Sequence, residues 1–84
     1  MTHRLGPHQR ALAQQMMDGA RLYRIDAGFY LEHRGKRTKV NRERVMGMYV
    51  RGLLSIDRTD ELSDGSSRDR YVLTEVGERA MEEG

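Results

Sequence analysis

Residues 40–54, VNRERVMGMYVRGLL, form the stretch that decides the fold of this chain. Asn41 stands just before a helical pattern, where its side-chain oxygen can accept hydrogen bonds from the first free amides of a helix. Val40 and Val45 flank this cap at the spacing of a hydrophobic staple. Gly52 can adopt a positive φ and end the helix. We therefore expect a helix that starts directly after Asn41 and stops at Gly52, followed by a strand.

This helix is expected to be amphipathic. Its core-facing stripe at helical spacing consists of Val45, Met48, Tyr49 and Leu53. The other face, available to a partner, consists of Arg42, Glu43, Met46, Gly47 and Val50. A glycine inside a helix makes it about 1 kcal/mol less stable than an alanine does, so we expect a structural or functional reason for Gly47. Either another surface approaches closely there, or the glycine makes room for a bulky neighbour such as Tyr23 or Tyr30.

A second stretch, residues 71–80 (YVLTEVGERA), combines the end of a strand with the start of a helix. Thr74 can cap that helix, and acidic residues in its first turn suit the helix dipole. Residues 55–58 are expected to form a strand that pairs with residues 70–74. Between them, residues 59–69 contain Asp-Gly and two adjacent serines, which predict a flexible hairpin tip.

The first half of the chain is predicted to hold a helix and a hairpin. Pro7 suits the first turn of a helix, and apolar residues recur along the positions that follow. Residues 21–25 and 29–33 are predicted to be strands, and the Asp-Ala-Gly between them provides turn chemistry. Residues 34–39 are expected to be a basic loop. The complete prediction is one α+β domain over residues 1–84, in the order α-β-β-α-β-β-α.

Composition limits the cellular compartments that are expected for the chain. The 84 residues include no cysteine, so disulfides and thiolate chemistry are excluded. No apolar run approaches the roughly 20 residues that cross a bilayer, and the N-terminus lacks the apolar core of a signal peptide. These features predict an intact cytoplasmic protein without a membrane segment.

Charges are distributed unevenly along the chain. Residues 1–58 contain twelve Lys or Arg and five Asp or Glu, whereas residues 59–84 contain three and eight. Within residues 34–44 a single acid, Glu43, accompanies six cations: Arg34, Lys36, Arg37, Lys39, Arg42 and Arg44. So dense a basic run favours a partner with dense negative charge, and a solvated basic surface without a partner is the alternative.

Residues 40–80 resemble the winged helix-turn-helix family, particularly its MarR-type members and small bacterial and phage regulators. The resemblance rests on a polar-capped helix ending in Arg-Gly-Leu-Leu at residues 51–54, a strand, a polar hairpin, and Tyr-Val-Leu-Thr-Glu-Val-Gly at residues 71–77. It implies a winged-helix domain with an extra N-terminal β-hairpin, in which residues 59–69 are the wing. The family places a short scaffold helix before its recognition helix, where this sequence predicts a hairpin.

The resemblance also implies a function. It suggests a small non-enzymatic protein that binds double-stranded DNA, as a transcriptional regulator or accessory factor of a bacterium or phage. The helix at 41–52 would enter a major groove, and the loop at 34–39 would hold the backbone beside it. Arg42 would reach a guanine edge or a phosphate, whereas Arg44 would contact a phosphate. The implied DNA-binding residues are Arg34, Lys36, Arg37, Thr38, Lys39, Asn41, Arg42 and Arg44. A homodimer that matches two half-sites is left open.

No catalytic, metal or nucleotide site is indicated. The three histidines, His3, His8 and His33, lack metal-ligand spacing, so surface or packing roles are expected for them. Three of the four serines lie in the predicted hairpin tip, so no Ser-His-Asp arrangement can be argued. The glycine pattern of a phosphate-binding loop is missing before Lys36. A non-enzyme without a cofactor is therefore expected.

Two other functions remain as alternatives. The hairpin at 21–33 or the acidic wing at 59–69 could dock on a host protein, as a phage or mobile-element module would. Asp60, Glu61 and Asp64 motivate this alternative, because an acidic wing is repelled by DNA. The tyrosines could instead stack single-stranded RNA bases on a sheet surface, although a core this small uses most of its aromatic residues.

Overall fold

A computed structural model describes residues 5–83 of the chain. Eight elements follow one another: α1 (Pro7–Met17), β1 (Arg21–Ile25), β2 (Gly28–His33), β3 (Lys36–Val40), α2 (Arg42–Val50), β4 (Leu54–Glu61), β5 (Ser67–Leu73) and α3 (Glu75–Glu83). The fold is α+β, with three helices and one five-stranded antiparallel sheet. None of these helices is long and apolar enough to cross a membrane. The predicted order omits one strand, and the observed order is α-β-β-β-α-β-β-α.

The additional strand is β3, which occupies most of the segment that the sequence predicts to be a loop. Arg34 and Gly35 both have positive φ, 54° and 77°, which is the type I′ geometry that joins two strands through a two-residue turn. Only Val40 of the five β3 residues is buried, so the strand shows no apolar alternation. The prediction of a loop over residues 34–39 is therefore wrong.

The sheet has the strand order β3-β2-β1-β5-β4, and the predicted hairpin at 21–33 is confirmed as β1 and β2. Leu22 of β1 lies opposite both Leu31 of β2 and Tyr71 of β5. Directly opposed residues share a face, so these three side chains define one face of the sheet. The helices pack on this core face, and they contribute Leu12, Ala13, Val45, Met48 and Ala80 to its buried cluster.

The other side of the sheet bears no helix within residues 5–83, and we call it the open face. By the strand register it displays Arg21, Tyr23, Tyr30, Glu32, Arg37, Lys39, Arg58, Asp60, Arg68 and Arg70. Tyr23 is buried there although it does not belong to the core cluster. Side chains of the open face itself must therefore cover it.

Helix α2 is capped at both ends as the sequence predicts. Asn41 Oδ1 accepts hydrogen bonds from the amides of Glu43 at 2.8 Å and Arg44 at 3.3 Å. At the other end Gly52 has a φ of 77°. Its amide and that of Leu53 donate back to carbonyls in the last turn of the helix, which is the Schellman arrangement. Both ends of α2 are thus set by local sequence.

The core-facing stripe of α2 is confirmed at three of its four predicted positions. Val45, Met48 and Leu53 are fully buried, whereas Tyr49 is 39% exposed. Leu53 lies beyond the end of the helix, so the helical stripe is centred between Val45 and Met48. Tyr49 is turned by about 70° from that centre. It therefore lies at the border of the core and meets the ring of Tyr71 edge-on.

Gly47 faces α1 across the helix pair. A Cβ at this position would meet the Gln9 side chain, with Nε2 at 3.2 Å, and no other atom within 4 Å. Tyr23 and Tyr30 lie on the open face, on the far side of the sheet. The suggestion that Gly47 makes room for Tyr23 or Tyr30 is therefore wrong, and the close approach of a partner's surface stays a prediction.

The β4–β5 hairpin is more regular than predicted. Its strands remain paired almost to the tip, and the loop comprises only residues 62–66. Within the loop, Asp64 Oδ1 accepts a hydrogen bond from the Ser66 amide at 2.9 Å. The prediction of a tip over residues 59–69 is wrong, because charged residues at most positions of these strands hide their pattern.

The junction between β5 and α3 matches the prediction. Thr74 Oγ1 accepts a hydrogen bond from the Gly77 amide at 3.1 Å and donates one to the Gly52 carbonyl at 2.6 Å. The backbone of Gly77 lies directly against the Leu53 carbonyl. These contacts join the start of α3 to the end of α2 and hold both helices on the core face.

Candidate nucleic-acid interface

The eight residues implied by the resemblance lie along one border of the molecule. Arg34 belongs to the β2–β3 turn, residues 36–39 form the outermost strand, and residues 41–44 begin α2. All eight are exposed except Arg44, which is half-buried. Turn, strand and helix start thus form one continuous basic surface, which we call the basic edge (residues 34–44).

Strand geometry divides the basic edge between the two sides of the sheet. Lys36 and Thr38 lie on the side that bears α2, because they oppose core-face positions of β2. Arg37 and Lys39 alternate with them and lie on the open face. The structure therefore brings Lys36 and Thr38 together with the start of α2 and separates Arg37 and Lys39 from it.

Most cations of the basic edge lack an acidic partner. Within residues 5–83 one residue of the basic edge forms an ion pair: Arg37 Nε lies 3.4 Å from Glu32 Oε2. The cations without an ion pair there are Arg34, Lys36, Lys39, Arg42 and Arg44. An unpaired surface cation keeps its full attraction for an external anion. The basic edge is thus an electrostatic surface that the protein itself does not neutralise.

The start of α2 offers groups for recognition as well as charge. Asn41 uses its side-chain oxygen in the helix cap, so its NH₂ group is the one that can contact a partner. Arg42 is exposed at the first position of the helix. Glu43 is exposed beside it and carries the only negative charge of the basic edge. Arg42 and Asn41 are therefore the donors best placed for a ligand at this helix end.

A groove beside Arg44 is lined by the N-terminal ends of two helices. Its lining residues are Gly6, Pro7, His8, Gln9, Asn41, Glu43 and Arg44. The N-terminus of a helix carries a partial positive charge, so both helix ends favour an anion in this groove. Arg44 and Glu43 both line the groove, so charged residues of both signs border it.

Four side chains form a stacked ladder across the open face. The Arg68 guanidinium carbon lies 4.1 Å from the Tyr23 ring centre, Tyr23 and Tyr30 stack at 5.4 Å, and the Arg37 guanidinium carbon lies 4.9 Å from the Tyr30 ring centre. Each tyrosine thus has a neighbour on both faces of its ring. Tyr23 is buried in this ladder and Tyr30 is half-buried. Neither ring has a free face for base stacking, which argues against the single-stranded RNA alternative.

The acids of the wing are partly neutralised within their own hairpin. Asp60 lies 3.4 Å from Arg58 Nε and 3.5 Å from Arg68 Nε. At the tip, hydrogen bonds from the Ser66 hydroxyl and amide lower the pKa of Asp64. Asp60 is consequently less repulsive towards an anionic partner than the sequence suggests, whereas the lowered pKa keeps Asp64 at the tip negatively charged.

The hairpin at 21–33 lies inside the sheet. Its two strands each have a paired neighbour on both sides, so the hairpin offers no unpaired edge to which a host protein could add a strand. Its turn and its open-face side chains are the parts that remain accessible.

The histidines are not grouped with other potential ligands. His8 is exposed and His33 is half-buried, whereas His3 lies outside the described residues. In the part of the chain that the structure describes, no group of three or more His, Cys, Asp or Glu residues could hold a metal ion.

The sequence prediction did not include the open-face arginines Arg21, Arg58, Arg68 and Arg70. Arg68 and Arg70 lie two residues apart in β5, and Arg70 precedes the buried Tyr71. Because Asp69 between them is also charged, the sequence gives no period-two signal for their face.

Comparisons of the chain with protein-family models, with curated proteins and with solved structures found no match.

Proposed function

We propose that this protein is a small non-enzymatic DNA-binding domain of winged-helix type, a regulator or accessory factor of a bacterium or phage. The observation that carries the proposal is the basic edge, where five cations within eleven residues have no ion pair in the described part of the chain. Cations of this kind bind phosphates and release the counterions condensed on DNA. The lack of cysteine fits a cytoplasmic setting.

The connection of the elements supports the winged-helix assignment. β1, β5 and β4 are adjacent in the sheet, and α2 leads directly into the β4–β5 hairpin. A recognition helix followed by a wing has this order. In the place where the family has its scaffold helix, this chain has β2 and β3. We therefore propose a variant in which a strand pair replaces that helix and its edge strand supplies backbone contacts.

In the proposed complex the first turn of α2 enters a major groove. Arg42 and the Asn41 NH₂ group face the base edges, where Arg recognises guanine and Asn recognises adenine. Lys36 and Thr38 follow the backbone on the same side of the sheet, and Arg44 binds a phosphate in the groove between the helix ends. Arg37 and Lys39 lie on the other side and take no part in this contact.

Two variants test the proposal, each of which removes one positive charge: one within the proposed interface and one outside it. Arg42→Gln is expected to weaken binding to a short duplex about five- to tenfold and to reduce the salt slope by about 0.9, because one phosphate or guanine contact is lost. Arg79→Gln removes the same charge from an exposed position on α3 and is expected to change the affinity less than about twofold. Fluorescence anisotropy measures both. An unchanged affinity of Arg42→Gln would remove α2 from the interface.

A further inference from the structure

We infer that the open face is a second DNA-backbone surface, so that one molecule contacts two duplex segments, one on each side of the sheet. This inference rests on the proposed function for the first segment. It starts from the placement of charge, since four of the five strands contribute cations to the open face: Arg21, Arg37, Lys39, Arg58, Arg68 and Arg70. These six outnumber the nearby acids, Glu32, Asp57 and Asp60.

The side of the molecule around α3 has the opposite charge. Glu75, Glu78 and Glu82 are exposed there, and Arg79 pairs with Glu75 at 2.8 Å. DNA is therefore repelled from this helix and attracted to the basic edge and the open face. Arg37 and Lys39 belong to both surfaces, so the positive potential continues around the border of the sheet.

The arginines of the open face are held in place before any ligand binds. Arg68 stacks on Tyr23, donates a hydrogen bond to the Tyr30 hydroxyl at 3.3 Å and lies 3.5 Å from Asp60. The hydrogen bond to Tyr30 raises the pKa of Arg68 above its ordinary value. Side chains ordered in advance lose little conformational entropy on binding, so the ladder favours an anionic ligand.

Arg70 has hydrogen-bonding capacity that the protein does not satisfy. Its Nε is buried without a hydrogen-bond partner, out of reach of an external ligand, whereas its Nη1 lies 4.0 Å from Asp57 Oδ2, at the limit of an ion pair. Arg21 and Lys39 form no ion pair within residues 5–83. An external phosphate can complete the interactions of these three cations.

The same geometry favours the sugar-phosphate backbone over bases as the ligand. The two tyrosine rings are covered on both faces, so they cannot stack a flipped or single-stranded base. Guanidinium edges remain, and these match phosphate oxygens. Duplex DNA presents such phosphates at high density without requiring base contacts.

A capture experiment with two duplexes tests this inference. The protein is added to beads that carry one duplex, and retention of a second, fluorescent duplex is measured. Arg21→Gln combined with Arg58→Gln suits the test, because both side chains are exposed and Arg68 remains beside Asp60 when Arg58 is removed. This variant is expected to retain at least fivefold less fluorescent duplex, about the loss from two phosphate contacts. Its binding to a single duplex in excess should change less than about threefold, because α2 still binds.

The outcomes separate this inference from the proposed function. If the Arg21→Gln/Arg58→Gln variant captures as much fluorescent duplex as wild type, the inference is overturned. A protein dimer that binds one duplex through each of its two α2 helices would give this result. Loss of capture in that variant, together with weaker single-duplex binding by Arg42→Gln, supports both surfaces. If Arg42→Gln binds one duplex as wild type does, the α2 interface is overturned while the open-face variant still tests the open face. Arg79→Gln controls for the loss of charge, and thermal melting confirms that each variant is folded.

Discussion

Gly77 shows how one residue can fix the position of a helix. A Cβ at this residue would collide with the Leu53 carbonyl, and that carbonyl already accepts a hydrogen bond from the Thr74 amide at 3.0 Å. The carbonyl therefore cannot move away. Gly47 is also inside a helix, but the atom in its way is the end of the flexible Gln9 side chain. The two glycines consequently differ in what a methyl group would cost.

We expect opposite behaviour from alanine at these two glycines. Gly77→Ala should lower the free energy of unfolding by about 2 kcal/mol or more, because backbone must shift to admit the methyl group. Gly47→Ala should stay within about 1 kcal/mol of wild type, since the helix propensity of alanine offsets the displacement of Gln9. Urea denaturation measures both, and equal losses would contradict the assigned contacts.

Asn41 joins the stability of α2 to its proposed function. Asn41→Ala removes the cap and should lower the free energy of unfolding by about 1 kcal/mol. Asn41→Ser keeps a capping oxygen and should recover most of that loss. Urea denaturation compares the two variants with wild type. If Asn41→Ala is as stable as wild type, the two hydrogen bonds to its Oδ1 contribute nothing to the fold.

Secondary-structure elements with apolar periodicity and polar caps could be predicted from the sequence, whereas charged edge strands could not. The cap of α2, its glycine end and the Thr74 cap of α3 each depend on a few neighbouring residues. β3 and the outer part of the wing depend instead on pairing with a neighbouring strand and on turn geometry. Their exposed charged residues give no period-two signal, and charges on an edge strand protect it from aggregation.

The sequence predicts which cations belong to the candidate site but not how they are arranged on the surface of the protein. The sequence identifies the cations of residues 34–44 because they are adjacent in the chain. Their division between two sides of the sheet follows from strand alternation, which is invisible when the segment is taken for a loop. Arg21 joins the open face through the register of β1 with β2, and Arg68 and Arg70 join it through the register of β5 with β1.

Arg10 holds α1 against α3. Its guanidinium donates to the carbonyls of Met81 at 3.2 Å and Ala80 at 3.4 Å, at the end of α3 where a cation also suits the helix dipole. Arg10→Met should lower the free energy of unfolding by about 1 kcal/mol and speed amide exchange in the last turn of α3. Unchanged exchange there would contradict this role.

The turn at the tip of the wing predicts a pH effect. Hydrogen bonds from Ser66 favour the charged form of Asp64, so the folded pKa lies below 3.8. The carboxylate therefore stabilises the turn above the unfolded pKa, and this contribution is lost as the pH falls through the folded value. Ser66→Ala removes the hydroxyl donor and should raise the pKa of Asp64 in an NMR titration. An Asp64 pKa at or above 3.8 in wild type would contradict the turn.

The whole molecule is polarised in charge. The basic edge and the open face are positive, α3 is acidic, and the overall dimensions are 44 × 24 × 20 Å. A duplex on the α2 side and another on the open face would be separated by the thickness of the protein. Because the helices occupy one side of the sheet only, the proposed contact on the α2 side and the proposed contact on the open face lie on opposite sides of the sheet.

Salt dependence of duplex binding tests the central claim most directly. Wild-type protein is titrated with an excess of a short duplex at several salt concentrations between 50 and 200 mM, the range over which phosphate contacts lose most affinity. Neutralisation of about four phosphates by Arg34, Lys36, Arg42 and Arg44 predicts a slope near −3.6 in log K against log salt. A flat salt response would contradict the proposal that the unpaired cations of residues 34–44 bind DNA.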